Sequence, residues 1–197
     1  GGWQTAVLSA LDERVTVIVP VAGYSPVWQR VSCMADIGDL EQVPSDLCKI
    51  ADFDTLTALF APRPSLLIYN LNDDCCFRSR RTRKSVFNPV KPLYDLLGVN
   101  DFFEFYENRN PGTHNYEADS RGQLYRFLNR HFALHTPEED LPFEDELLSE
   151  FQLNVGLPEE NATLNSLATE AAKDLPHTRV PMANSARLKW MLKTRDQ

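Results

Sequence analysis

Three short apolar runs punctuate the first two thirds of the chain, and each stops abruptly at polar or turn-forming residues. Val15–Val19 (VTVIV) is β-branched and ends at Pro20. Ser65–Tyr69, near-continuously apolar through Leu66-Leu67-Ile68-Tyr69, ends at Asn70, and Phe102–Tyr106 ends at a turn-rich loop. Short runs without polar alternation predict strands buried on both faces of a parallel sheet. Between the runs, apolar positions recur at helical spacing. Gly2–Asp12 carries Ala6, Val7, Ala10 and Leu11 on one stripe, and Glu117–Leu134 carries Leu124, Phe127, Leu128, His131 and Phe132 on another. A shorter helix is expected over Thr55–Phe60, capped by Asp54 or Thr55 and stopped before Ala61-Pro62-Arg63-Pro64. Another is expected over Pro89–Gly98, with proline near its start and Gly98 as its stop. The order helix, strand, helix, strand, helix, strand, helix predicts an α/β domain over residues 1–135, with helices flanking a parallel sheet.

The pattern changes after Thr136. Pro137–Glu150 is strongly acidic, Leu153–Pro158 reads as a short strand and turn, and helices are expected over Leu164–Lys173 and Ala186–Lys193. Residues 136–197 are therefore read as an acidic linker and a helical appendage. Residues 24–60 form an excursion rich in Asp36, Asp39, Glu41, Asp46, Asp52 and Asp54. Calcium binding is conceivable there, but the spacing fits no EF-hand loop, and solvated surface accounts for it.

Composition narrows the picture. The chain has 197 residues, 43% of them hydrophobic, which suits one globular domain plus an appendage. A net charge of −8 argues against nucleic acid or an anionic membrane as partner, and no apolar run is long enough to span a bilayer. The one basic cluster, Arg78–Lys84 (RSRRTRK), reads either as a solvated face or as an anion-binding patch. The cysteines Cys33, Cys48, Cys75 and Cys76 form no C-x-x-C pair. A Cys33–Cys48 bridge requires an oxidising compartment, and adjacent Cys75 and Cys76 read as packing, since a bridge between them would be strained. Asn161-Ala162-Thr163 matches the glycosylation sequon, which matters only in a eukaryotic secretory pathway.

The chemistry gathers where the second and third runs end. Asn70, Asn72, Asp73 and Asp74 follow one run, and Asn110-Pro111-Gly112-Thr113-His114-Asn115 follows the next. Open α/β sheets carry their binding and catalytic groups at the carboxyl ends of their strands. His114 is the candidate base, since a neutral imidazole accepts a proton near pH 7. Asp73 is the candidate acid that orients it, with Asp74 as its rival. Taken singly, a histidine in a polar loop is simply solvated, and an Asp-rich turn is ordinary turn chemistry. His131, His135 and His177 are assigned no role. Tyr24, Trp28, Phe77 and Tyr116 are candidates for an acyl or sugar pocket, or else for core.

These residues carry a resemblance. Gly1-Gly2-Trp3-Gln4-Thr5 looks like the segment after the serine of a G-x-S-G-G elbow. With it go Val19-Pro20-Val21-Ala22-Gly23-Tyr24, the stretch Gly38 to Gln42, Ala61-Pro62-Arg63-Pro64, Tyr69-Asn70, Asp73-Asp74-Cys75-Cys76-Phe77 and Gly112-Thr113-His114-Asn115. Together, over roughly residues 1–135, they resemble the acetyl xylan esterase-like branch of the α/β-hydrolases, related to dienelactone hydrolases. The resemblance implies the carboxyl-terminal half of an α/β-hydrolase sheet. It implies Asp73 and His114 as triad acid and base, and the Gly1 backbone N–H as an oxyanion donor. No G-x-S-x-G occurs in the chain, so the nucleophile is expected just before Gly1 and the chain by itself is expected to be inactive. The missing half of the sheet is expected from the same polypeptide, a second chain or an identical partner, because an unpaired parallel edge invites aggregation. The implied reaction is hydrolysis of acetyl esters of carbohydrate through an acyl-serine, with no cofactor and no metal, in an extracellular or periplasmic setting. A non-catalytic module for carbohydrate or protein contact fits the same residues, as does a peptidase or lactone hydrolase on the same scaffold.

Overall fold

The computed structural model of the chain describes residues 1–38, 42–175 and 183–195; Asp39, Leu40 and Glu41 of the Gly38–Gln42 stretch, and His177, lie outside the described residues. Two compact units divide the chain, Gly1–Phe143 and Glu144–Gln197.

The first unit has a partial α/β fold. Strands β1 (Ser65–Asn70) and β2 (Phe103–Asn108) are parallel, in a register that runs from Ser65 opposite Phe103 to Asn70 opposite Asn108. Every residue of β1 is buried. Its side chains alternate between two cores. Leu67 and Tyr69 join Tyr24, Phe53, Phe60, Tyr94 and Phe103 on one face. Leu66 and Ile68 meet Phe127 on the other. Phe127 belongs to α6 (Ala118–Phe132), which packs back on the sheet.

The strand expected over Val15–Val19 is reduced to two isolated parallel bridges, Ile18 to Ser65 and Val21 to Ile68. The cause is Pro20. The bonds Ile18 N to Pro64 O (2.9 Å), Leu66 N to Ile18 O (2.9 Å), Ile68 N to Pro20 O (3.1 Å) and Ala22 N to Ile68 O (2.7 Å) are the rungs of one parallel ladder. The rung missing between them is the one residue 20 would donate to the Leu66 carbonyl, and proline has no N–H.

Helix α1 (Gly2–Leu11) lies against this segment through backbone contact. A Cβ at Gly2 would stand 2.4 Å from the carbonyl oxygens of Val21 and Ala22, and one at Gly23, where φ is +90°, would stand 2.5 Å from Trp3 N. The Ala61-Pro62-Arg63-Pro64 motif ties the helix ends together. The Arg63 guanidinium donates to the carbonyls of Ser9 and Asp12 at the end of α1, to that of Val15 beyond it, and to those of Leu59 and Phe60. Leu59 and Phe60 follow α3 (Phe53–Ala58), so one cation satisfies acceptors that two helix ends leave over.

Several elements differ from the sequence expectation. Helix α3 starts at Phe53, and its cap is Asp52 rather than Asp54 or Thr55. The Asp52 carboxylate also accepts from Val27 N and Trp28 N at the start of α2 (Val27–Ser32), so one side chain caps two helices. The helix expected from Pro89 begins ten residues earlier. Helix α4 (Ser79–Thr82) passes through a π turn, Arg83–Phe87, into α5 (Asn88–Leu96). The wide turn, closed by Asn88 N on Arg83 O, directly precedes Pro89, which has no N–H to offer the turn behind it. The basic cluster is accordingly partly structural. Arg81 pairs with Asp36, and Arg83 lies over the rings of Phe87 and Phe105.

In the second unit, α7 (Glu150–Leu153) takes part of the place of the expected Leu153–Pro158 strand. A capping box between Ser149 and Gln152 starts that helix. Helices α8 (Leu164–Lys173) and α9 (Asn184–Arg195) follow. Every described residue of this unit except Trp190 is exposed, wherever its burial is assigned. No disulfide joins Cys33 to Cys48; all four cysteines are thiols. Among the described residues, no helix is long and apolar enough to cross a membrane.

Candidate active site

The site begins where both strands end, on the aligned pair Asn70 and Asn108. Both are fully buried and turn their amides to the loops beyond them. Asn108 accepts from Gly112 N (2.9 Å) and from the Asn115 amide (3.1 Å), and donates to Asp119 (2.7 Å). Asn115 also reaches Asn70 (3.3 Å), and Asn72 N donates to Gly112 O (2.8 Å). The two loops are thereby bound into one edge. Gly112 has φ of +81°, a left-handed turn that suits glycine.

On this frame Asp73 and His114 meet. His114 Nδ1 lies 3.0 Å from Asp73 Oδ2 and 3.1 Å from Oδ1. Asp73 is 3% exposed, and its charge is met by other donors as well. Oδ1 accepts from Cys75 N (3.0 Å) and Cys76 N (2.9 Å), and Oδ2 accepts from Asn70 Nδ2 (2.8 Å). The rival acid has a different task. Asp74 Oδ1 accepts the His114 backbone N–H at 2.8 Å. That bond, with one from its own N–H, holds the Asp74 carboxyl below the usual carboxylate range. One aspartate thus faces the ring and the other the backbone of the same histidine.

The acid loop is braced from behind by residues that local sequence patterns do not mark. Asp36 is fully buried and accepts from Arg81 Nε and Nη2 (both 2.6 Å), Gln29 Nε2 (2.9 Å) and Phe77 N (3.2 Å). Phe77 is buried with φ of +59°, an uncommon conformation for a bulky side chain. The Arg30 guanidinium stands over its ring at 4.9 Å and over Phe53 at 5.0 Å. Such a residue holds its backbone only where its surroundings over-determine it. Asp36 sits in a stretch that reads as solvated acidic surface, and nothing local distinguishes it from its neighbours. Asn108 is recoverable in principle, since register pairs it with Asn70.

Gly1, the third candidate, caps α1 and lines a concavity of about 430 Å³ together with Gly2, Thr5, His114 and Tyr116. His114 and the amino end of α1 therefore share one cleft. With Nδ1 engaged by Asp73, His114 Nε2 makes no hydrogen bond to any described residue, and the side chain is 48% exposed. Of the proposed pocket aromatics, Tyr116 lines this cleft, Tyr24 and Phe77 are core, and Trp28 lines a separate depression with Cys48 and Asp52. His131 lies between the rings of Phe102 and Phe127, where burial pushes its pKa down.

No protein-family model matches the sequence, and no curated protein sequence matches it either. Among solved structures, the chain is similar to Methylesterase BT1017, with a TM-score of 0.56 at 20% identity, over 100% of this chain and 40% of that one. A carbohydrate esterase family 15 glucuronoyl esterase from Caldicellulosiruptor kristjansonii aligns with a TM-score of 0.48 at 19% identity, over 68% of this chain and 42% of that one. The chain spans about two fifths of the length of each. The first likeness is one of fold alone.

Proposed function

We propose that this chain carries the acid and base of a serine ester hydrolase acting on esters of carbohydrate through an acyl-serine intermediate. The observation that supports this best is the cleft. An imidazole held through Nδ1 by a buried carboxylate lines the same cleft as the capping residue of a ten-residue helix.

In this reading, Asp73 fixes the tautomer with the proton on Nδ1 and stabilises the imidazolium that forms. Nε2 takes the proton from a serine hydroxyl as it attacks the ester carbonyl, then returns it to the departing alkoxide. The Gly1 N–H, at the positive end of α1, donates to the developing oxyanion. The nucleophile comes from outside the chain, on the residue that precedes Gly1. The rest of the sheet comes from the same polypeptide or a partner. None of these steps calls on a metal or a cofactor. Acetylated sugars lead as substrate class, on the resemblance of the sequence motifs. Methyl esters join them, because the neighbour in fold is named a methylesterase.

A fluorophosphonate probe tests the proposal on the source protein, read by intact mass. The expected result is labelling of a species heavier than 22.5 kDa, at a serine preceding Gly1, abolished by His114→Ala. An unlabelled, folded, full-length protein would overturn it in favour of a binding module. A panel of acetyl sugars against methyl esters then fixes the substrate class.

A further inference from the structure

We propose that Cys75 and Cys76 form a thiol–disulfide modification site coupled directly to the acid of the site. The consequence for activity rests on the function proposed above; the chemistry of the pair does not. The two sulfurs lie 3.5 Å apart in adjacent residues, Cys75 exposed and Cys76 half-buried, with no disulfide between them. Their backbone N–H groups are the two donors that hold Asp73 Oδ1. The Cys76 N–H belongs to the peptide that links the two cysteines, so whatever twists that peptide moves a donor of the acid.

A disulfide would twist it. Bonded sulfurs stand about 2 Å apart, and bridged residues usually keep their Cα atoms about 4.4 Å or more apart. Neighbours across a planar trans peptide are held at about 3.8 Å. Closing the eight-membered ring therefore strains the peptide that links the two residues, and its rotation turns the Cys76 N–H away from Oδ1. Asp73 would keep Asn70 but lose part of the hold that orients it towards His114. The strain also makes the bond easily reduced, the behaviour of a regulatory rather than a structural bridge.

Hydrogen peroxide suffices as oxidant. The Cys75 thiolate attacks one peroxide oxygen and the O–O bond breaks, leaving a sulfenic acid and releasing hydroxide, which takes up the thiol proton as water. The Cys76 thiolate then displaces the sulfenic oxygen, forming the S–S bond, and that oxygen leaves as a second water with the second thiol proton. Two electrons pass from the thiol pair to peroxide. A dithiol reductant reverses the exchange.

The test uses the full chain with Cys33→Ser and Cys48→Ser, titrated with peroxide and followed three ways. Intact mass should fall by two hydrogens, with the bridge mapped to the 75–76 peptide, and Cys75→Ser or Cys76→Ser should each abolish that loss. The nuclear magnetic resonance signal of the His114 Nδ1 proton should move on oxidation and return with dithiothreitol, and should stay still in either serine variant. In the complete enzyme, ester hydrolysis should fall about tenfold or more on oxidation, the scale of losing one charge-assisted hydrogen bond to the acid, and recover on reduction. Oxidation that ends in sulfinic acid or in a mixed disulfide would overturn the site. A bridge that leaves the His114 signal unmoved would overturn the coupling. Should no ester be hydrolysed at all, the proposed function fails, while the mass and resonance readouts still decide the redox site.

Discussion

Asp73 accepts two main-chain N–H groups and one amide side chain before it meets His114, so its carboxylate is oriented whether or not the imidazole is charged. Asp74 instead fixes the histidine's backbone. The two should separate on substitution. Asp73→Asn is expected to lower kcat by about 10³- to 10⁴-fold by presenting the wrong tautomer to the ring. Asp74→Asn is expected to cost about tenfold or less, since it loosens position without removing the orienting charge. Steady-state hydrolysis of an acetyl ester by the complete enzyme compares them. At this scale the sequence is half transparent. Strand-end placement brings Asp73 and His114 forward, and chain order favours Asp73 over Asp74. The support behind them is opaque, because Asp36 and Arg81 meet across a sequence distance that no local pattern bridges.

Elements show the same division. Helices α1, α6 and α8 follow their apolar periods or caps closely, whereas the expected first strand is broken by the missing donor of Pro20. A hydrophobic period cannot register one absent rung. Nor can it foresee that α1 begins by backbone contact. Gly2→Ala places a methyl 2.4 Å from two carbonyl oxygens, neither of which can yield as a flexible side chain would. Urea unfolding should show a loss of about 1–3 kcal/mol, the usual cost of overpacking. Helix α6 carries a pH-dependent clasp. Arg121 and then Tyr125 hold the Asp140 carboxyl down at about 2, against its ordinary 3.8. A lowered folded-state pKa stabilises the fold above the unfolded value and ceases to do so as pH falls through the folded one. The clasp is therefore complete above pH 3.8 and lost on the way down to about 2. Thermal melts across that window should fall less steeply for Asp140→Asn than for the parent protein.

For the whole molecule, every residue of both buried cores lies at or before Phe127. Within the second unit, the described residues are exposed wherever burial is assigned, apart from Trp190. A chain ending at Phe143 should accordingly keep the melting temperature of the first unit within about 2–4 °C, the shift that 1 kcal/mol produces at this size. Circular dichroism melts of the two lengths check this. A larger drop would mean that the acidic segment and its helices contribute to the fold of the first unit. The sequence marks this change of character through composition alone, at Thr136. The compact unit extends to Phe143 because Asp140 is bound back to α6, a long-range pairing that composition does not record.

The π turn at Arg83–Phe87 has a genetic consequence. It is a helix turn with one residue more than the α-helical count. Loss of a single codon there would return the run from Ser79 to the α-helical count. Each residue of an α-helix advances the side-chain direction by about 100°, so everything downstream would be rotated relative to everything upstream. Tyr94 would swing off Phe103, and Ser79 and Arg81 could keep their places beside Glu107 and Asp36 only if α5 abandoned the sheet. The extra residue works as a phase adjuster. It lets one helical run face the acid loop at its beginning and the hydrophobic core at its end.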